Sequence, residues 1–441
     1  MENKDSGLTE RIRQQFDRTP YPRRPLEDSP KDNASLLYIH NLVTPYYLKN
    51  QKIIETEGKV ILDAGCGSGY KSLVLAEANP GAKVIGIDLS KESVNLARQR
   101  LLHHGFSSNT EFYALALEEL PTLGIEFDYI NCDEVLYLLP DPVVGLQAMK
   151  SVLKPGGIIR TNLHSSIQRS NFFRSQELFK LMGFMDKNPE DLEIGLVRET
   201  MGALKDQVIL KQQTWKPAFE KEDELILANH LLQGDKGHTI PEMFSALKAA
   251  DLEFISMVNW RQWDLMDLFK EPDDLPVFLG MSLPETSVEE RLHLFELLQP
   301  LHRLLNFWCG HPHQGQPWTP VSEWTTSDWQ NAQVYIHPQL KTPKLREDLV
   351  DCITNLRMFE ISQHLSLHQG FVTVDSSMAL CVLPLLEAPQ SVSSLAERWK
   401  QVRPVNPVTL EPTDEEAAFY LIQQMLTRLE SLGYVLLECQ P

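Results

Sequence analysis

The residues best placed to do chemistry lie where the sequence runs Val60-Ile-Leu-Asp-Ala-Gly-Cys-Gly-Ser-Gly-Tyr70. A buried strand is expected to end at Asp63, and a glycine-rich turn then opens a helix. Glycines at 65, 67 and 69 let the backbone turn sharply and approach a ligand closely, and the next helix presents free amides and the positive end of its dipole. A nucleotide-like ligand is implied. The dinucleotide fingerprint GxGxxG would place its third glycine at position 70, which here is Tyr70. Charge separates the candidates further, because Asp63 at the strand tip repels a pyrophosphate and suits a cation. Nineteen residues beyond Gly69 the second strand, KVIGIDLS, ends in Asp88, placed to accept hydrogen bonds from a ribose diol.

S-adenosylmethionine combines a ribose with an ammonium group and a nearby sulfonium, and it fits both carboxylates. Methyl transfer from a sulfonium needs the acceptor held in line behind the S–CH3 bond in a site that excludes water, and proximity with desolvation supplies up to about 7–11 kcal/mol. The candidate catalytic residues sit at the ends of the fourth and fifth strands: Asp133, Glu134, Tyr137, Asn162 and His164. An amine acceptor would need a carboxylate to hold and deprotonate it, a task suited to Asp133 with Glu134; an amide nitrogen would need a hydrogen-bonded base more urgently. His164 reads equally well as a packed histidine and as a base. Asn131-Cys-Asp-Glu stands where amino-methyltransferases of adenine or glutamine carry an Asn/Asp-Pro-Pro-aromatic motif, but both prolines are missing. Cys309-Gly-His311-Pro-His313 has no second ligand pair at finger spacing, so no metal site is expected. Tyr21, Tyr38 or His40 could close over the cofactor from the N-terminal segment, or simply pack on the sheet.

These residues need a scaffold, and the pattern supplies one. After a charged helix (Leu8 to Phe16), a proline-rich turn (Thr19 to Pro25) and a helix from Asn33 to Asn50 that Pro45 can break or kink, short β-branched runs alternate with amphipathic helices from Lys59. VILDAG, KVIGIDLS, TEFYALA, FDYINCD and GIIRTNLH are the strands, which predicts a doubly wound α/β domain with a parallel sheet covered on both faces. Residues 165–238 read as a helical insertion serving as a lid, with the sheet resuming at Glu253 to Asn259. The expected layout is an N-terminal helical cover over 1–58, the α/β domain over 59–262, a helical connecting region over 263–339 whose Leu and Phe residues around Phe295 to Phe307 form helix core, and a small domain over 340–441. That last domain combines a helix near Leu345 to His368, a strand at Gly370 to Val374, two more helices and a final strand, YVLLEC, a winged-helix-like order. The stretch GHPHQGQPWTP marks the boundary before it.

The glycine loop with its two acidic anchors resembles the class I S-adenosylmethionine-dependent methyltransferases, whose signature is D/E-x-G-x-G-x-G after the first strand and an acidic residue ending the second. FDYINCDEVLYLLPDP (127–142) resembles that family's fourth-strand segment and LKPGGIIRTNLH (153–164) its fifth. The resemblance implies a Rossmann-like sheet in which Asp63, Ala64, Gly65, Gly67 and Gly69 cradle the methionine part, Asp88 with Leu89 binds the ribose, and Cys132 and Asp133 face the methionine and the acceptor. Many relatives bind the adenine amine with an acid after the third strand. Here Ala116 stands at that position, which leaves the backbone of Ala116 and Leu117, or Glu118, for the adenine. FDRTPYPRRPLEDSP and SVLKPGGIIRTNLHSS also resemble a group of cyanobacterial methyltransferases, and the helical C-terminal half is similar in layout to bacterial protein methyltransferases with a regulatory domain. That likeness alone implies a protein substrate, the phycobiliprotein asparagine type included.

Composition sets the outer limits. The 441 residues are too many for one core, and their net charge of −19 argues against nucleic acid as a partner. From Leu340 onward the chain carries 8 Lys and Arg against 13 Asp and Glu, which favours a protein contact there. Six scattered cysteines without a CxxC pair, a charged N-terminus without a signal peptide and no long apolar run predict a cytoplasmic protein with no membrane segment. Three functions stay open: a methyltransferase acting on a protein side chain, with nitrogen the favoured acceptor; one acting on a small molecule; and a non-catalytic S-adenosylmethionine-binding interaction protein.

Overall fold

The computed structural model describes residues 10–14, 17, 21–315, 319–367, 370–406 and 409–439. Of the expected N-terminal helix only 10–14 is described and is helical; the start of the proline-rich turn, part of the boundary stretch GHPHQGQPWTP, and His368 lie outside the described residues. The chain divides into two compact units, one of Met1–Asp28, Lys59–Ser72 and Lys83–His313, the other of Ser29–Gly58, Leu73–Ala82 and Gln314–Pro441.

In the first unit eight strands form one sheet: β1 (Val60–Ala64), β2 (Lys83–Asp88), β3 (Thr110–Ala114), β4 (Phe127–Cys132), β5 (Leu153–Ser165), β6 (Gly237–His238), β7 (Glu253–Met257) and β8 (Leu304–Gly310). Their order is β3-β2-β1-β4-β5-β8-β7, with the two-residue β6 added to β5. Ile61, Leu62, Ile85, Ile130 and Ile159 are fully buried, as continuous apolar strands covered on both faces require. The winding reverses between β1 and β4, which opens a crevice at the carboxyl ends of those strands. Side-chain caps fix where the flanking helices begin: Ser90 for Lys91–His103, Asp141 for Pro142–Ser151, and a Thr239/Glu242 capping box for Ile240–Ala249. Between β5 and β6 four helices, Ser170–Leu181, Asp191–Ala203, Ile209–Thr214 and Asp223–Asn229, enclose a core of their own around Phe179, Val197, Met201, Phe219 and Ile226.

One expectation is corrected here, and of the two outcomes open at Pro45 the break is the one observed. The segment 263–339 is not a helical connector throughout: Val288–Leu298 is a helix, but Leu304–Gly310 is β8, which lies antiparallel between β5 and β7. A continuous run such as Leu-Leu-Asn-Phe-Trp-Cys-Gly has no period that separates a buried helix from a buried strand, and the open edge of β5 decides the matter. The helix expected over Asn33–Asn50 is two, Ala34–His40 and Val43–Asn50, with Asn41 extended between them. Pro45 lacks the N–H for a bond to residue 41, and its ring would clash with that carbonyl, so the break falls at the carbonyl the proline cannot pair.

The second unit holds an antiparallel sheet of β9 (Ala332–Ile336), β12 (Gln390–Ser391) and β13 (Val435–Cys439) in the order β12-β9-β13, and a pair formed by β10 (Phe359–Glu360) and β11 (Thr373–Val374). Its helices include Pro343–Thr354, which stops well short of the expected His368, Val392–Val402 and Glu415–Ser431. The sheet begins at Ala332, ahead of the expected boundary at 340. Residues 29–58, expected with 1–28 as a single cover, belong to this unit. Val43 and Tyr47 bury their apolar faces on Leu436, while the Tyr47 hydroxyl donates to Glu430 (2.8 Å) and accepts from the Leu437 amide (3.3 Å). Among the described residues no helix is long and apolar enough to cross a membrane.

Phe307 is fully buried on β8. Phe307→Ala is expected to cost about 3–5 kcal/mol in urea unfolding, the range for truncating a buried aromatic, in contrast to the few tenths expected of a solvent-facing helix position.

Candidate functional site

β1 ends in a turn in which Gly65, Gly67 and Gly69 take φ of +82°, +49° and +81°. A β-carbon would overlap the Val135 side chain at 65, the Tyr21 carbonyl oxygen at 67 and the Ala97 backbone at 69, so glycine is required at all three. The amides of this loop are spent on the protein itself. Gly65 and Cys66 donate to the Ile87 carbonyl (2.8 Å each), Gly67 to the Asp88 carboxylate (2.9 Å), Ser68 to the Tyr21 carbonyl (2.8 Å) and Gly69 to the Cys66 carbonyl (2.9 Å). Phosphate-binding loops aim those same amides at the ligand. The amides of residues 65–69 are therefore not available to a pyrophosphate, which argues against that ligand on independent ground.

The two acidic anchors differ in setting. Asp63 lies beneath the loop, buried, and accepts from Ser72 Oγ (2.6 Å) and Asn131 Nδ2 (2.9 Å). Burial pushes its carboxyl up to about 6, against the pull of those two hydrogen bonds. Any action on a ligand's ammonium runs through its field, not through direct contact. Asp88 ends β2 and accepts one backbone amide on each oxygen, Gly67 on Oδ2 and Ser90 on Oδ1 (2.9 Å each). A carboxylate offers about four acceptor positions, so one on each oxygen remains for a diol. Ala64 is buried in β1, and Leu89 is half-buried beside Asp88. Ala116 begins the 3-10 turn Leu117–Leu123, and its amide donates to Glu119 (3.1 Å) and is not available to an adenine. Leu117 is buried in the core and Glu118 is exposed. Glycines that a side chain would block, a ribose-ready Asp88 and a negative field fit S-adenosylmethionine; Asp63, Asp88 and the loop are the residues that would hold it.

Beyond β4 the expected catalytic residues separate into two groups. Cys132 is buried, its thiol pushed up to about 12 by burial, and its carbonyl accepts from Thr161 Oγ1 (3.0 Å). Asp133 is bound by Lys71 (2.6 Å), Asn162 Nδ2 (2.5 Å) and, farther off, Arg160 (3.5 Å), so it is a neutralised anchor and not a free base. Asn162 also accepts from the Glu134 amide (3.0 Å) and steadies that residue at φ +61°. Glu134 turns the other way, into a bidentate pair with Arg303 (2.5 and 3.3 Å), and accepts from the Tyr137 hydroxyl (3.2 Å). His164 stacks on Tyr137 with centroids 3.7 Å apart and lies between Asp235 (Nδ1, 2.6 Å) and Arg303 (Nε2, 2.9 Å). Glu134, Tyr137 and Arg303 form one wall of a cavity of about 300 Å³. Its opposite wall comes from the insertion, with Glu224 and Leu225, and Tyr21 of the N-terminal segment closes a side. The Tyr21 phenol is pushed up to about 12 by lost solvation and then by the nearby Glu134 and Glu224, and stays neutral.

Arg303, Asp235 and Glu224 carry no local motif, and sequence reasoning missed them; of the three only Arg303 stands as an isolated charge in a leucine-rich stretch. Tyr38 and His40 belong to the second unit, where Tyr38 packs on His337 (4.4 Å) and His40 Nδ1 bonds the Leu36 carbonyl (2.8 Å). Cys309 is buried in β8, and His311 Nε2 bonds the Leu153 carbonyl (2.9 Å).

Residues 55–248 match a family model described as a methyltransferase domain. An uncharacterized protein of Synechococcus sp. is 26% identical over 326 residues, covering 73% of this chain and 75% of that protein. The ubiquinone biosynthesis O-methyltransferase of Haemophilus ducreyi is 36% identical over 105 residues, which cover 23% of this chain and 44% of the enzyme; that of Actinobacillus pleuropneumoniae serotype 5b is also 36% identical, over 29% of this chain and 55% of the enzyme. The match thus spans about half the length of these curated enzymes. Among solved structures, PKMT2 from Rickettsia typhi superposes with a TM-score of 0.59 over 91% of this chain and 75% of its own at 16% identity, and with 0.58 in its complex with AdoHcy. At that identity the likeness is one of fold.

Asp63 takes up a proton more readily in the folded chain than unfolded, so its contribution to stability is full below its ordinary pKa and fades as pH rises through about 6. Wild type should lose on the order of 2–3 kcal/mol relative to Asp63→Asn between pH 4 and pH 7 in chemical unfolding, a difference read between the two proteins at each pH. Asp88→Ala should abolish the thermal shift produced by S-adenosylmethionine; an undiminished shift would remove Asp88 from the ribose site.

Proposed function

We propose that the chain, whose residues 55–248 match a methyltransferase-domain model, is a class I S-adenosylmethionine-dependent methyltransferase that methylates a nucleophile on a protein side chain, with nitrogen as the acceptor atom. The observation that carries this reading is the cavity of about 300 Å³ walled by Glu134 with its partner Arg303, by Glu224, and by two neutral phenols and leucines. Its volume is at the low end for ligand pockets and suits one side chain. Bound S-adenosylmethionine supplies a methyl group already activated by its sulfonium.

Charge bookkeeping distinguishes the acceptor atoms. An uncharged nitrogen becomes positive as it receives the methyl group, and fixed carboxylates beside it stabilise that developing charge. Arg303 offsets the charge of Glu134, so an alkoxide or phenolate would be repelled before reaction by Glu224, which has no cation paired with it among the described residues. The hydroxyls of Tyr21 and Tyr137 stay protonated, their ionisation suppressed first by lost solvation and then by the nearby carboxylates; Tyr137 gives its one proton to Glu134, which leaves Tyr21 to donate a hydrogen bond that orients an acceptor. The leucines of the wall lower the local polarity, which raises the value of each polar contact. The ubiquinone O-methyltransferases that the chain resembles over about half their length motivate the small-molecule alternative.

Incubation with tritiated S-adenosylmethionine and host lysate, followed by gel separation, should label discrete polypeptides. Asp88→Ala should abolish the label, and Glu224→Gln should lower kcat/KM on the order of tenfold, about 1.4 kcal/mol. Label confined to the small-molecule fraction would overturn the protein reading.

A further inference from the structure

We propose that Asp235 and His164 form an oriented base for the acceptor's proton, and that Arg303 is the gate that must leave before it works. The proposal rests on the methyl-transfer reading above and assigns roles that the cavity alone does not. Asp235, just ahead of β6, has a fully buried side chain that accepts from His164 Nδ1 (2.6 Å), Arg169 Nη2 (2.9 Å) and Gln176 Nε2 (2.8 Å). Burial favours the neutral acid, yet these partners hold its carboxyl below the usual range. The result is a buried anion aimed at one imidazole nitrogen.

The chemistry of its two partners fixes the tautomer of His164. A guanidinium only donates, so the nitrogen 2.9 Å from Arg303 must be an unprotonated acceptor, and the ring proton sits on Nδ1 toward Asp235. This is the arrangement in which an acid orients a histidine with its basic nitrogen forward. Burial, with Arg169 and Arg303 as neighbouring cations, lowers the imidazole's pKa although Asp235 pulls the other way. The charged and titratable groups around it are Asp235 and Arg169 from the insertion, Arg303 from the entry to β8, Glu134 and Tyr137 from the segment after β4, and His238 on β6.

Within this network His164, Asp235 and Arg169 are sealed, while the Arg303 side chain is 41% exposed and lines the cavity. It is the most exposed of the four, so it is the member whose departure opens the site. While it stays, a proton on Nε2 would face a cation at hydrogen-bond distance, so the base is masked. An acceptor N–H can take over both of its roles by donating to Nε2 and lying beside Glu134. The nitrogen lone pair then forms the N–CH3 bond and the S–CH3 pair returns to sulfur. The N–H proton passes to Nε2, giving an imidazolium that Asp235 stabilises, and leaves to solvent as Arg303 returns. His164 is the catalytic residue in this scheme, and Asp235 is a positioning residue.

The test combines kinetics with histidine-selective 15N spectroscopy, with label incorporation into lysate polypeptides as the activity. His164→Gln should lower kcat on the order of 100-fold while keeping the S-adenosylmethionine thermal shift, and Asp235→Asn at least about tenfold with KM little changed. Arg303→Gln removes a half-exposed cation and should fold even if the buried variants do not. It should move the acid limb of kcat/KM, which reports the free enzyme with Arg303 on Nε2, to higher pH, and the 15N titration of His164 in the free protein should move with it. A folded His164→Gln at the wild-type rate, an unmoved limb in Arg303→Gln, or a wild-type His164 protonated at Nε2 would each overturn the proposal. Wild-type protein that labels no polypeptide would overturn the acceptor class instead, and the spectrum would still decide the tautomer.

Discussion

Backbone crowding at the end of β1 is the constraint on which the first unit depends. Three separate parts of the chain occupy the room that side chains at 65, 67 and 69 would need: Val135 after β4, the Tyr21 carbonyl of the N-terminal segment, and Ala97 on the helix after β2. Each approach does a different job. Val135 brings the β4 extension, and with it Glu134, against the loop; Tyr21 lays a cavity residue over it; and Ala97 seats the helix that follows Asp88. A methyl group at any of the three would separate a functional side chain from the sheet that positions it.

The polar groups above this sheet fall into two sets with different economies. Near the cofactor loop the carboxylates are satisfied by neutral donors or fixed cations: Asp63 by Ser72 and Asn131, Asp133 by Lys71 and Asn162. Such groups set a field and hold shape. In the cavity, by contrast, Glu134 is paired with a half-exposed arginine, and among the described residues no cation forms an ion pair with Glu224. Charge that remains unpaired or loosely paired at a cavity wall is where an incoming group is recognised, because the protein has not already neutralised it.

How much of this could be read beforehand follows from the range of each signal. Asp63, the three glycines and Asp88 were legible because a strand, a turn and a helix start lie within thirty residues, and their chemistry depends on local spacing. The parallel strands were legible because burial on both faces leaves unbroken apolar runs. β8 was not, since an unbroken apolar run fits a buried helix equally well and only the open edge of β5, 140 residues earlier, selects a strand. Arg303 and Asp235 were invisible for the same reason: His164 joins residues 139 and 71 positions away, and no local pattern announces either partnership. Ala116 failed in the opposite sense, since its backbone stood where expected but its amide was already claimed by Glu119 three residues on.

Tyr47 gives the second unit a peculiar relation to time. Its hydroxyl partner Glu430 is 383 residues away, and the amide it accepts from, Leu437, is 390 away. At about 5–20 residues per second a ribosome takes on the order of 20–80 s to travel that distance. For that interval Val43 and Tyr47 are outside the tunnel with no β13 to cover them, whereas β1 to β5 have one another as parallel neighbours once residue 165 is made and β5 has β8 once residue 310 is made. The nascent chain must therefore carry an uncovered apolar helix through most of its own synthesis, and the two-residue break before it, with Pro45 in its first turn, keeps that helix short while it waits.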